Sequence, residues 1–290
     1  MTLPSTPTIV DYPTGAVTSN GTVLHREMLG ADRAIIVLDR TAAHPVDAAW
    51  PDQGPDRGTI TAGGTRFPLL DCVVAATDGV ALFLGSDVPV RKGTDGWTFV
   101  VAHLVDADAA VEEGADVQVD IDPDYRSSLS AGHTACHLAS LALNRALAAA
   151  WSKEVARDAL GAPNFDALAI ETSTILENGA RDEYRIGKSL RKKGFGTAAL
   201  DDLAAVQGEV EVTLRAWLAD GGTVAIERDG DSITDRREWV CDIESGARIP
   251  CGGTHVHSLA ELAGISVRLE RRELDGAVGL TMLTSVTAAA

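Results

Sequence analysis

The sequence predicts an α+β protein in two parts, a small β-barrel followed by an α/β two-layer domain. Three observations carry that expectation. Short, β-rich segments broken by turns fill residues 1–119. A helical periodicity of about 30 residues begins soon afterwards. The length of 290 residues suits two ordinary domains better than one large one. With 45% hydrophobic and 23% charged residues, the chain has the composition of a folded globular protein.

Taken in order, "TVLHREML", "RAIIVLDRT", "RGTITAGGTRFPLLDCVVAATDGVALFLG" and "WTFVVAHLV" are strand-like runs punctuated by Gly, Asp and Pro, as in a small barrel or sandwich. Residues 43–58, rich in Pro, Asp and Gly, read as a loop. The character changes at "VQVDIDPDYR", which sets a boundary near Asp120 and domains of 1–119 and 120–290. Beyond it Leu129, His133, Ala135, Leu138, Leu141, Leu143 and Leu147 recur at helical spacing, and Gly161-Ala162-Pro163 closes the helix. A strand around "DALAIETST", a basic cluster, a second helix over "TAALDDLAAVQGEVEVTLRAWLADG" and several strands complete the second domain.

Charge narrows the function. Lys and Arg total 25 against 42 Asp and Glu, a formal charge of −17, which argues against a generic nucleic-acid binder because counterion release requires a cationic face. A local basic patch can still act on an acidic body. No apolar run approaches the roughly 18 residues of a membrane span, and the start lacks a basic segment followed by an apolar one. The expectation is a cytoplasmic protein with no membrane partner. Cys72, Cys136, Cys241 and Cys251 are too scattered for a disulfide framework, so reduced thiols or one metal thiolate are expected.

Two short motifs carry chemistry. In "HTACH", His133 and His137 stand one helical turn apart, about 40° in azimuth and about 6 Å along the axis, so both rings can reach one ion. In "CGGTHVH", Cys251 and His255 are also four apart, and Gly252 and Gly253 would let the backbone bend so that both side chains face inward. Either pair alone is weak, since a buried histidine more often hydrogen-bonds a carbonyl. Together they offer an N, N, S, N donor set suited to zinc. The H-E-x-x-H motif fails for want of a Glu, and the deaminase pattern fails for want of a second cysteine after Cys251. His257 is the alternative to His255, and Cys136 reads as a packing residue.

"HTACH" with "CGGTHV" resembles the editing domain of alanyl-tRNA synthetase and its free-standing AlaX-type relatives. "IIVLDRT", "DRGTI" and "VDIDPDYR" extend the resemblance over most of the chain. It implies a translation-protein-like N-terminal barrel and a second domain of the threonyl/alanyl-tRNA synthetase editing type. It also implies an ATP-independent hydrolase acting in trans, with no synthetase core attached, that deacylates mischarged Ser-tRNA(Ala) or Gly-tRNA(Ala). Such a second site is needed because a methylene is worth only about 1–3 kcal/mol and a cavity poorly rejects an added hydroxyl.

The resemblance implies one Zn2+ per chain on His133, His137, Cys251 and His255. The metal would either activate water or hold the ribose or amino acid. Thr41 matches a pocket threonine that could recognise the serine hydroxyl, although it also reads as an ordinary end of a strand. Gln53 matches the glutamine of the family's "GGGQ" loop, but here the stretch is "AAHPVDAAWPDQGPDRG", with the three glycines lost and residues inserted. Arg185, Lys188, Arg191, Lys192 and Lys193 could meet tRNA phosphates or form a solvated loop. A divergent hydrolase of another aminoacyl ester or thioester, and a non-catalytic tRNA-binding zinc domain, are the alternatives. A monomer and a homodimer are both compatible with the sequence.

Overall fold

A computed structural model describes residues 3–288. The chain forms two compact units. One takes the chain up to Arg126 together with Arg228–Arg237 and Gly252–Thr254, and the other takes Ser127–Glu227, Glu238–Cys251 and the chain from His255 onward.

The first unit contains β1 (Ile9–Val10), β2 (Thr18–Leu29), β3 (Arg33–Leu38), β4 (Arg40–Thr41), β5 (Gly58–Ala62), β6 (Thr65–Leu69), β7 (Asp71–Thr77), β8 (Leu82–Leu84), β9 (Thr98–Asp106) and β10 (Asp116–Ile121). Eight of them form one sheet in the order β6-β5-β10-β2-β3-β9-β7-β8, while β1 pairs with β4 in parallel. The first half of β2 pairs with β10 and its second half with β3, with a register shift between Val23 and His25. A bulge of that kind bends its strand.

Chain connectivity then forces the sheet to roll. Only Leu70 separates β6, at one edge, from β7, next to the other edge, and successive Cα atoms are about 3.8 Å apart. The Leu70 N–H accordingly donates to the Leu104 carbonyl of β9 (2.8 Å). The expected barrel is corrected here: among the described residues no strand pairing closes the ring. Pro68 sits in β6 and has no N–H to give a further neighbour, which suits an edge strand, and β8 is only three residues long. Inside the roll lie Val23, Ile36, Leu38, Ile60, Val74, Val101 and Val119.

The remaining elements are α1 (Pro123–Ala146), α2 (Phe165–Ala169), β11 (Ile170–Leu176), β12 (Gly179–Ile186), α3 (Lys188–Lys192), α4 (Leu203–Asp220), β13 (Val224–Arg228), β14 (Arg237–Cys241), β15 (Ala247–Pro250), β16 (Leu262–Leu274) and β17 (Ala277–Ala288). A four-stranded sheet runs β11-β12-β17-β16, and a three-stranded sheet runs β13-β14-β15. Val206, Val210, Leu214 and Trp217 are the buried residues of α4, spaced as one face of a helix. The Asp202 side chain accepts from the Ala205 N–H at its start.

Helix α1 starts with Pro at its first position, where the missing N–H costs nothing, and the Asp122 carboxylate accepts from the Asp124 and Tyr125 N–H groups. It stops at Ala146 instead of continuing towards Gly161. Asn144 draws the following chain back, donating to Asp158 (3.0 Å) and accepting from the Asp166 N–H (2.8 Å). Against β11 and β12 the helix packs so closely that a Cβ on Gly132 would meet the Gly179 and Leu176 carbonyl oxygens at 2.4 Å. That contact fixes the turn of helix carrying His133. Among the described residues no helix is long and apolar enough to cross a membrane.

Candidate metal centre

The two motifs, more than a hundred residues apart in sequence, meet. His133 and His137 project from one side of α1, while Cys251 and His255 follow β15. Their nitrogen and sulfur donor atoms all lie within 4.8 Å of one another. Cys251 Sγ is 3.5 Å from His133 Nε2 and 3.3 Å from His255 Nε2. A tetrahedral ion with metal–sulfur bonds of about 2.3 Å and metal–nitrogen bonds of about 2.0–2.1 Å would hold its sulfur and nitrogen ligands about 3.5 Å apart. The spacing therefore fits one cation of that size.

The electrostatics favour the ligating forms. Burial opposes ionisation of Cys251, but its histidine neighbours, His133 foremost, outweigh it and hold the thiol well below its ordinary range. Burial, followed by the neighbouring His133, pushes His255 down to about 3, so its imidazole is neutral. Thiolate and neutral imidazole are the species that bind metal. His137 Nε2 is buried with no hydrogen-bond partner, a condition that costs about 1–3 kcal/mol and that a cation would relieve.

Several neighbours of the cluster escaped the sequence reading. Thr134 Oγ1 lies 3.1 Å from His255 Nδ1 and accepts from the Val256 N–H (3.3 Å). The indole of Trp239, fully buried on β14, packs at 5.0 Å between ring centroids from His137 and 6.1 Å from His255. Behind α1, Ser173 donates to Asp182 (2.6 Å), which Cys136 also contacts at 3.6 Å, and Tyr184 donates to Asp166 (2.9 Å). Burial raises Asp182 to about 7 and also raises Asp166. Of these, only the position of Thr134 inside "HTACH" offered a signal.

Other sequence-identified residues fall elsewhere. Neither Gly252 nor Gly253 has a positive φ, and Gly252 faces open space. In the first unit, Gln53 holds Thr254 with a fork: its Nε2 donates to the threonine hydroxyl and its Oε1 accepts the threonine N–H, both at 2.9 Å. Thr41 is buried. His103 Nδ1 donates to the Ile36 carbonyl (3.1 Å), so its Nε2 accepts the Thr41 hydroxyl proton (2.8 Å), and Thr41 Oγ1 accepts the Ala43 N–H (3.1 Å). Burial keeps His103 neutral, with its pKa lowered to about 4.

The loop that contains Gln53 is anchored by a buried ion pair. Arg126 donates to both oxygens of Asp56 and to the Ala42 carbonyl, while Asp56 accepts the His44 N–H (2.5 Å). In the basic cluster, Arg185 and Arg191 donate to the Asp275 and Gly276 carbonyls of the β16–β17 turn. Lys188, Lys192 and Lys193 are exposed.

No family model matches the chain. Its relatives include an alanine–tRNA ligase of Frankia casuarinae, 30% identical over 256 residues, which cover 84% of this chain and 24% of the ligase. A Frankia alni alanine–tRNA ligase is 27% identical over 259 residues, covering 86% of this chain and 24% of the ligase. The chain thus spans about a quarter of the length of these ligases. The alanyl-tRNA editing protein AlaX-M of Pyrococcus horikoshii is 26% identical over 239 residues, with 82% of this chain and 81% of that protein covered. Similarity to AlaX-M over four-fifths of both chains, on a chain whose HxxxH and CGGTHV residues converge as one donor cluster, supports an AlaX-type editing protein.

Proposed function

We propose that the protein hydrolyses the ester of mischarged tRNA(Ala), removing serine or glycine, with zinc on His133, His137, Cys251 and His255. In that reaction water oxygen bonds to the carbonyl carbon, the bond to the ribose oxygen breaks, and that oxygen leaves with a proton. The observation carrying the proposal is the convergence of the four donors within 4.8 Å in a relative of AlaX-M. A zinc ion held there would supply Lewis-acid charge and a lowered pKa for water bound at any open position. The chain's own contribution is the buried Cys251 thiol, held well below its ordinary range, and the neutral imidazole of His255. With its proton held by His103 and the Ala43 N–H accepted, the Thr41 oxygen keeps one lone pair. Gln53 acts in this scheme by holding Thr254 inside the CGGTHV turn.

Lys188, Lys192 and Lys193, with Arg185 and Arg191, form the proposed tRNA contact. Phosphate contacts release counterions, so neutralising Lys192 and Lys193 should flatten the salt dependence of tRNA binding. An unchanged slope returns them to a solvated surface.

The decisive assay follows Ser-, Gly- and Ala-charged tRNA(Ala) with zinc-loaded protein. Loss of the seryl or glycyl ester with the alanyl ester spared supports the proposal, and no deacylation above background overturns it. One observation favours a second reading. The loop at residues 42–57 lacks the family's three glycines and is pinned by Asp56 and Arg126, which suits a divergent hydrolase of another aminoacyl ester or thioester. Turnover of a free aminoacyl thioester would favour it.

A further inference from the structure

Thr134 stands on α1 between the two histidines of HTACH, fully buried, and one oxygen atom serves two residues of the other motif. The Val256 N–H donates to Oγ1, and His255 Nδ1 lies 3.1 Å from it. The far nitrogen of the same ring, Nε2, is 3.3 Å from Cys251 Sγ. Two proton arrangements fit these distances. In one, the Thr134 hydroxyl donates to Nδ1 and the ring proton sits on Nε2, facing the sulfur. In the other, Nδ1–H donates to Thr134 and Nε2 presents a lone pair.

A neutral imidazole carries one ring proton, so only the second arrangement lets Nε2 bind a cation. Ligation at Nε2 in turn requires the proton on Nδ1, where a buried N–H without an acceptor would weaken the complex. Thr134 Oγ1, 3.1 Å away, is that acceptor. Its bond from Val256 N–H also ties the residue after His255 to the helix that carries His133 and His137.

We propose that Thr134 is a positioning residue that selects the Nδ1-protonated form of His255 and thereby sets the affinity of the cluster for a zinc-type divalent cation. The inference rests on the metal-site part of the proposed function and is independent of which ester is cleaved. Partners of this kind typically change metal affinity by about 10–100-fold when removed.

The test is competition for zinc between the full chain and a colorimetric chelator. Thr134→Val should bind zinc about 10–100-fold more weakly, and Thr134→Ser, which keeps the oxygen, should restore most of the affinity. Equal affinity of Thr134→Val and the parent protein overturns the proposal, as does absence of zinc binding by the parent. Long-range proton–nitrogen NMR of the zinc-loaded parent needs no variant: His255 should carry its proton on Nδ1, and a proton on Nε2 refutes the assignment. Seryl-tRNA(Ala) deacylation by the parent at saturating zinc separates the two readings. Weakened zinc binding in Thr134→Val with an inactive parent keeps the role of Thr134 and removes the deacylase. Unchanged zinc binding with an active parent does the reverse.

Discussion

Two regions bury polar side chains on a similar scale, and they differ in what those side chains do. Around the loop at residues 42–57, polar groups find partners within the first unit: Asp56 with Arg126 and His44, Gln53 with Thr254, and Thr41 with His103. Around His133, His137, Cys251 and His255, the second unit leaves His137 Nε2 without a partner and raises nearby Asp182 to about 7. The first network is structure; the second gathers donors that could hold a metal ion. The contrast bears on the loop that contains Gln53, whose side chains are occupied in holding backbone.

The largest effect that could break this comparison lies in the closed region. Arg126→Met leaves the Asp56 carboxylate, fully buried, without its counter-ion, and removal of one partner of such a pair costs about 3–5 kcal/mol. Denaturant unfolding should show it, and a loss below about 1 kcal/mol would mean that the pair behaves as a surface one. Next comes Gln53→Ala, which strips both hydrogen bonds from Thr254 and should cost about 1–3 kcal/mol. Were Gln53 instead a substrate contact, stability would hold while KM rose.

The open region should respond in the opposite sense. His137→Phe keeps a ring against Trp239 and removes the orphaned nitrogen, so metal-free stability should stay within about 1 kcal/mol of the parent or rise, while zinc stoichiometry falls. A marked loss of stability in the metal-free state would show that His137 is a structural residue.

The last effect concerns pH. The raised folded-state value of Asp182, about 7, stands against about 3.9 for an unfolded aspartate. The folded chain therefore holds more protons between those values, and stability must fall as pH rises through that window. Asp182→Asn cannot ionise and should flatten that fall. Parallel stability–pH curves for parent and variant would show that Asp182 does not titrate there.

The legible parts of the molecule were those encoded by local spacing. Two histidines at i and i+4, and a Cys and His four apart, identify four atoms that meet in space, because helix geometry and a short turn leave them few other arrangements. The similarity to AlaX-type editing proteins was legible from the same residues. The loop was less so, for the partners of Gln53 and Asp56 lie 201 and 70 residues away, and no local pattern announces them. The end of α1 was misjudged because "LNRALAAAW" has strong helix propensity; the Asn144 contacts and the Trp151–Phe195 ring pair at 5.1 Å prevail over it. The barrel expectation erred at closure, since alternation reveals strands but not whether the last finds the first.

Leu70 carries a consequence for how this sequence can drift. A single-residue bridge between β6 and β7 has no slack, and Cys72, Val74 and Ala76 face one apolar cluster while Ala75 faces another. One inserted residue would invert that alternation along the strand. Insertions and deletions should therefore be tolerated better in the connection between Thr41 and Gly58 than at Leu70. In a library of single-codon insertions, that position should be the silent gap in the map of folded survivors.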